Sequence, residues 1–354
     1  MTTTIDEAKL DEFVGRFVQD LGAVAHAATV LVGDQLGLYK ALSDGRSVTP
    51  AELADRTGYD ERYLTEWLAA QAASGYVAYD ADTESFRLPP EQALALTSED
   101  NPLFAPGGFQ VAASNIKDVD LLADAIRTGR GVAWGEHHAD LFAGTNRFFK
   151  PGYIANLVES WLPALEGVVA KLEAGARVAD VGCGYGASTI LMAQAYPRST
   201  FVGFDYHQPS VEAARKAAAG AGVGDRCTFE VASAAGYRGS GYDLVTFFDC
   251  LHDMGDPVGA AAHVRASLAD DGTWMLVEPA AGDTLAENLN PVGRIFYSAS
   301  TMICVPVSRS QDVDRALGAQ AGPARLRAVA TEGGLSRFRL AAETPFNHVY
   351  EVRP

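Results

Sequence analysis

The 354-residue sequence predicts an α/β protein of two domains, a mainly helical one over residues 1–150 and a doubly wound one over residues 151–354. Three observations carry that prediction. Apolar residues recur at helical spacing over residues 13–42. A short hydrophobic strand at residues 177–181 runs directly into a glycine loop and a helix. Strand-like and helix-like segments then alternate.

Composition narrows the function classes. Hydrophobic residues make up 48% of the chain, as in an ordinary globular protein, and the formal net charge is −17. The first 150 residues carry 12 Lys and Arg against 23 Asp and Glu. Such a surface repels phosphates, so neither nucleic acid nor anionic membrane is the expected partner, and a small molecule is. Cys183, Cys227, Cys250 and Cys304 stand singly, without a CxxC pair or a Cys/His cluster at zinc spacing, so neither a disulfide framework nor a metal is expected. Residues 1–11 are polar and acidic, and no stretch approaches the ~20 apolar residues that span a bilayer. A cytoplasmic location is the expectation.

In the helical domain, Phe13, Phe17, Leu21, Val24, Ala28, Leu31, Leu38 and Leu42 form an apolar stripe that needs a partner surface. Thr49, Pro50 and Glu52 form a capping box that opens a short helix reaching about Arg56. After Gly58, Asp60 opens a second helix with Tyr63, Leu64, Trp67, Leu68 and Ala72 on one face. Residues 76–79 and 86–88 flank a polar turn and read as a hairpin. Together these resemble a winged helix. Its second helix bears Asp60, Glu61 and Glu66 against one Arg62, which opposes DNA binding and favours a dimerisation and lid module. Residues 91–150 are helix-like segments broken at Gly107-Gly108 and at Gly129 to Gly131, and one helix is expected over residues 153–172.

The chemistry concentrates after that. Strand 177–181 ends in Gly182-Cys183-Gly184-Tyr185-Gly186, and residues 187–196 read as a helix. Glycines are needed where a backbone turns tightly and lies so close to a ligand that a β-carbon would collide. The spacing is GxGxG with Asp180 ahead of it, not the GxGxxG of pyrophosphate-binding dinucleotide sites, although a nicotinamide enzyme stays open as an alternative. A second strand, residues 199–204, leads to Asp205, placed to accept hydrogen bonds from ribose hydroxyls or else to cap the following helix; Tyr206 is placed to stack on an adenine. Strands at residues 228–231, 242–248 and 273–278 follow, with a helix over 257–268 and a turn over 269–272.

The segments VADVGCGYGAST, FVGFDYH, YDLVTFFDCLHDMGDP and LADDGTWMLVEP, in that order, resemble the successive motifs of class I S-adenosylmethionine (SAM) dependent methyltransferases, from Arg177 to the C-terminus. The resemblance implies a Rossmann-like sheet of seven strands, closed by a hairpin at residues 336–342 and 345–352 that brings in one antiparallel strand. The layout is similar to that of bacterial small-molecule O-methyltransferases with an N-terminal winged-helix dimerisation domain, which are commonly homodimers.

By that resemblance Asp180, Gly182, Gly184, Gly186, Phe248 and Asp249 surround the methionine half of SAM, Asp205 binds its ribose, and Ser233 and Ala234 lie beside adenine, Ser233 standing where an Asp is common. His252 falls on the catalytic histidine of an HDW-x-D pattern, with Met254 in place of the usual Trp, and Glu278 matches an acid that orients it. Methyl transfer is an in-line displacement at a sulfonium, and a neutral imidazole of pKa ~6.5 can remove the acceptor's proton; proximity alone is the other possibility. Residues 290–302 cover the acceptor pocket in related enzymes, and their apolar, aromatic character suits a hydrophobic acceptor, with Tyr153, Arg294 and Tyr297 as pocket candidates. The expected activity is transfer of the SAM methyl group to a small acceptor, at oxygen in preference to nitrogen or carbon, with S-adenosylhomocysteine (SAH) as product. A winged-helix regulator that senses SAM is the alternative.

Overall fold

A computed structural model describes residues 5–354. The chain forms two compact units, one reaching to Ala113 and the other Ser114–Pro354. The boundary expected at 150/151 falls inside the helix Asp140–Asn156.

The first unit opens on a 29-residue helix, Glu7–Gln35, capped by Asp6, whose carboxylate accepts from Lys9 N–H. Phe13, Phe17, Leu21 and Val24 are all more than half exposed along it. The expected capping box is present: Thr49 Oγ1 accepts from Glu52 N at 3.3 Å and Glu52 Oε2 accepts from Thr49 N at 2.7 Å, starting the helix Pro50–Thr57. Asp60 caps the next helix, Glu61–Ala73. Its buried face is Leu64, Trp67, Leu68 and Gln71, whereas Tyr63, expected on that face, is 82% exposed. The helical period places Leu64, Leu68 and Gln71 in line, and Tyr63 lies one step outside the stripe. Trp67 Nε1 donates to Thr29 O at 2.9 Å, tying this helix to the first.

The wing is the antiparallel pair β1 (Ala78–Asp80) and β2 (Ser85–Arg87), with Val48 bridged to Phe86. It is shorter than expected because the N–H groups of Tyr76 and Val77 turn back to Gln71 O instead of pairing across.

In the second unit the single helix expected over 153–172 is broken. The helix Asp140–Asn156 passes into a π-helical turn, Leu157–Trp161, and the chain re-enters helix at Val168–Ala174 after Gly167, whose φ of +73° is left-handed. The seven-stranded sheet contains β3 (Arg177–Val181), β4 (Thr200–Asp205), β5 (Cys227–Val231), β6 (Tyr242–Phe248), β7 (Leu268–Pro279), β8 (Arg337–Glu343) and β9 (Asn347–Arg353). Their order is β5-β4-β3-β6-β7-β9-β8, parallel except that β9 runs against both neighbours. The turn expected at 269–272 sits within β7, where a register shift against β6 marks a bulge. Both faces of the sheet are apolar and buried, with Val178, Leu244 and Met275 on one side and Ala179, Val245 and Leu276 on the other. The order reverses between β4-β3 and β3-β6, and ligands of open α/β sheets lie outside the carboxyl ends of strands at such a switch.

Candidate active site

The carboxyl ends of β3, β4, β6 and β7 bring the predicted residues together. The turn after β3 uses three glycines with φ of +73°, +51° and +80° at Gly182, Gly184 and Gly186. A β-carbon on Gly182 would lie 2.7 Å from Cys250 Sγ, and one on Gly186 would lie 2.7 Å from Phe229 Cζ. A β-carbon on Gly184 would meet nothing within 4 Å. Two of these glycines therefore let the turn pack against the protein, and the middle one faces open space.

Asp205, at the end of β4, is clipped to that turn. Its Oδ2 accepts from Gly184 N at 2.9 Å and its Oδ1 from His207 N at 2.8 Å. The following helix, Gln208–Gly220, has His207 as its N-cap, so Asp205 does not cap it. Each carboxylate oxygen has a second lone-pair site, which leaves acceptor capacity for two hydroxyls. Burial raises the Asp205 carboxyl above its ordinary range, against the two backbone hydrogen bonds that lower it. Tyr206 is half exposed and accepts a hydrogen bond from the Trp134 backbone; Ser233 is exposed beyond the end of β5 and Ala234 is half-buried. Phe142 stacks obliquely on His207 at 4.5 Å and on Trp134 at 5.4 Å, which draws residues 134–142 across this end of β4.

Asp180 is buried and accepts three hydroxyl hydrogen bonds, from Ser188 at 2.7 Å, Thr189 at 2.6 Å and Thr246 at 3.0 Å. Burial still pushes its carboxyl up to about 6, with the three hydroxyls pulling the other way. It locks β3, β6 and the helix after the turn together. None of these hydroxyl partners was singled out from the sequence.

After β6, Phe248 and Asp249 enter a tight bend. Asp249 has φ of +50°, a left-handed conformation that a side-chain-bearing residue adopts only when its surroundings enforce it. Its N–H bonds Val277 O at 2.8 Å, its Oδ1 accepts from Asn347 Nδ2 at 2.7 Å, and Tyr153 Oη lies 3.5 Å from Oδ2. Tyr153 is buried against Phe248, with ring centroids 5.1 Å apart. Burial and the neighbouring Glu278 raise the Asp249 carboxyl well above its usual value.

His252 is 4% exposed in a single 3-10 turn, Leu251–Asp253. Its Nδ1 lies 2.6 Å from Glu278 Oε2, and Glu278 Oε1 accepts from Leu251 N at 3.0 Å. Its Nε2 lies 3.1 Å from Asp253 Oδ1 without the alignment of a hydrogen bond. Burial lowers the imidazole pKa, but Glu278 and Asp253 oppose it and carry the ring well above its ordinary value. The two facing carboxyls thus favour the imidazolium.

The acceptor candidates are dispersed. Tyr153 is within reach of Asp249, and Arg294 is exposed on the helix Pro291–Ala299. Tyr297 lines a cavity of about 500 Å³ with Ile126, Ser300, Val305, Arg309 and Arg325, and neither His252 nor Glu278 borders it.

Residues 24–98 match the model of the Rv2258c-like winged HTH domain, and residues 172–322 match that of a methyltransferase domain. No curated protein matches the chain. Among solved structures, an O-methyltransferase family protein from Burkholderia thailandensis superposes with a TM-score of 0.69 at 18% identity, over 99% of each chain. Human N-acetylserotonin methyltransferase in complex with SAM superposes with a TM-score of 0.70 at 15% identity, over 100% of this chain and 99% of that one. The mitomycin 7-O-methyltransferase gives 0.69 at 19% identity over 98% of each. At these identities the likeness is one of fold.

The fold is that of class I methyltransferases, and residues 172–322 match a methyltransferase domain. The chain carries a methyltransferase domain behind an N-terminal winged-helix domain. The residues present fit SAM: open space at Gly184 and spare acceptor capacity on Asp205.

Proposed function

We propose that the protein transfers the SAM methyl group to the oxygen of a small, hydrophobic acceptor, with His252 as the base. The observation that carries this reading is the His252–Glu278 pair, buried at 2.6 Å on neighbouring strand ends beside the glycine turn. SAM, when bound, supplies a methyl group on a sulfonium that leaves as a neutral thioether. Gly184 leaves room for it, and Asp205 holds the ribose. Phe248 and Asp249 flank the methionine end, Ser233 and Ala234 the adenine, and Tyr206 offers it a ring face. Tyr153, Arg294 and Tyr297 belong to the acceptor's surroundings.

Glu278 keeps the Nδ1 side of His252 occupied, so proton transfer runs through Nε2. The ring accepts a proton only after losing the one that the two carboxyls favour. Activity therefore rises with pH, and its midpoint lies above the ordinary histidine value. Glu278→Gln removes a charge that raises this pKa, so the ascending limb of kcat/KM is expected to move to lower pH while the maximum falls. A pH profile measured with tritiated SAM and a panel of hydroxyarenes checks both. An unchanged limb in the variant would separate Glu278 from the reaction.

The exposed stripe Phe13, Phe17, Leu21 and Val24 supports a homodimer built through the first helix, with the winged-helix unit as dimerisation and lid module in a cytoplasmic enzyme. Replacing Phe13 and Phe17 by Glu is expected to halve the mass measured by light scattering. The regulatory alternative gains nothing from the structure, since Arg62 on the acidic second helix pairs with Glu66 at 2.5 Å. No helix among the described residues is long and apolar enough to cross a membrane.

A further inference from the structure

The described second unit contains another histidine built like His252. His137 is 4% exposed, its Nδ1 lies 3.0 Å from Asp118 Oδ2, and its Nε2 is buried with no hydrogen-bond partner among the described residues. Asp118 is itself fixed, accepting from His138 N.

The segment preceding His137 packs on the helix Val305–Arg309, which follows directly on Cys304. Val132 N donates to Pro306 O at 2.9 Å, and a β-carbon on Gly131 would lie 2.0 Å from Ser310 N. His137 is near enough to Asp253 to act on its carboxyl electrostatically. Around Asp253, one ring nitrogen of His252, the Asp253 carboxylate and Cys304 Sγ all lie within 4.8 Å of one another, and both His252 and Cys304 are buried.

His252 thus has a carboxylate on Nδ1, the outer-shell arrangement that orients metal-ligating imidazoles, and its Nε2 faces Asp253 and Cys304. Nitrogen, thiolate and carboxylate donors together suit a soft or borderline divalent cation such as Zn(II), not Mg(II) or Ca(II).

We propose that His252 Nε2, Asp253 and Cys304 Sγ form a buried three-donor site for a Zn(II)-like cation, with water completing the coordination. Binding displaces the Cys304 thiol proton and the Nε2 proton of His252 to solvent. The ligating set is then one neutral imidazole, one carboxylate and one thiolate, whose two negative charges balance those of the cation. This inference shares His252 with the proposed base: an occupied site withdraws Nε2 from proton transfer, so the cation inhibits methylation and a chelator restores it. The site itself stands whether or not His252 serves as base.

The test is titration of the metal-free, SAH-saturated full-length protein with Co(II), followed by displacement with Zn(II). The expected result is one equivalent bound, with a thiolate-to-cobalt charge-transfer band and the d–d intensity of four-coordination, both erased by Zn(II). Cys304→Ser should abolish the charge-transfer band. Glu278→Gln should weaken binding by about 10- to 100-fold, the usual effect of losing an outer-shell partner. His137→Gln, outside the donor set, should leave the band in place. Calorimetric binding of SAH, unchanged in each variant, shows that each remains folded. Absence of the band at one equivalent, or its survival in Cys304→Ser, overturns the proposal; neither result bears on methyl transfer.

Discussion

His252→Ala is expected to lower kcat for methyl transfer by about 10²- to 10⁴-fold, the range that a positioned general base contributes, while SAH affinity stays within about twofold. The separation follows from geometry. His252 makes its polar contacts with Glu278 and Asp253, on the β6 and β7 side of the site, whereas the glycine turn and Asp205 belong to β3 and β4. Removing the ring leaves Glu278 buried with only Leu251 N on its other oxygen, so some stability is lost as well. Glu278→Gln in the same background isolates that loss. Turnover by His252→Ala equal to that of the parent would show that the enzyme works by proximity and orientation alone.

Gly184→Val is expected to reduce SAH binding at least about 100-fold, equivalent to ~2.7 kcal/mol, with a folded protein as the product. A β-carbon at Gly184 meets no protein atom within 4 Å, so the substitution adds side-chain volume only where the ligand is placed. The φ of +51° costs an L-residue about 1–2 kcal/mol, which lowers Tm without unfolding the domain. Gly186→Val is the control with the opposite signature. Its β-carbon would meet Phe229 Cζ at 2.7 Å and Ala214 Cβ at 3.1 Å, so it damages the core directly. Isothermal titration with SAH and thermal melts of the two variants distinguish them. Wild-type affinity in Gly184→Val would remove the cofactor from this turn.

Much of this site was legible in the sequence because it depends on local signals. A strand, a glycine turn and a helix in succession can be read from periodicity and from the conformations that only glycine tolerates well. Asp205 follows from its place at the end of a strand, whereas the roles of Asp180 and Glu278 come from the resemblance to the methyltransferase motifs. Which glycine faces the ligand was not legible, because Cys250 and Phe229, which decide it, come from other strands. The same holds for Asn347, which reaches Asp249 across 98 residues, and for the pairing of His137 with Asp118. Tyr63 fell off its expected face because a helical stripe read from one sequence can be shifted by a single position. The helix expected over 153–172 failed at Gly167, which ends one segment and starts another in a left-handed conformation.

The most direct test of the account is a crystal structure of the protein grown with SAH. It predicts the ribose hydroxyls on the Asp205 carboxylate, backbone at Gly184 against the ligand, and the thioether sulfur turned toward His252. SAH bound elsewhere, or the space beside Gly184 filled by protein side chains, would contradict it.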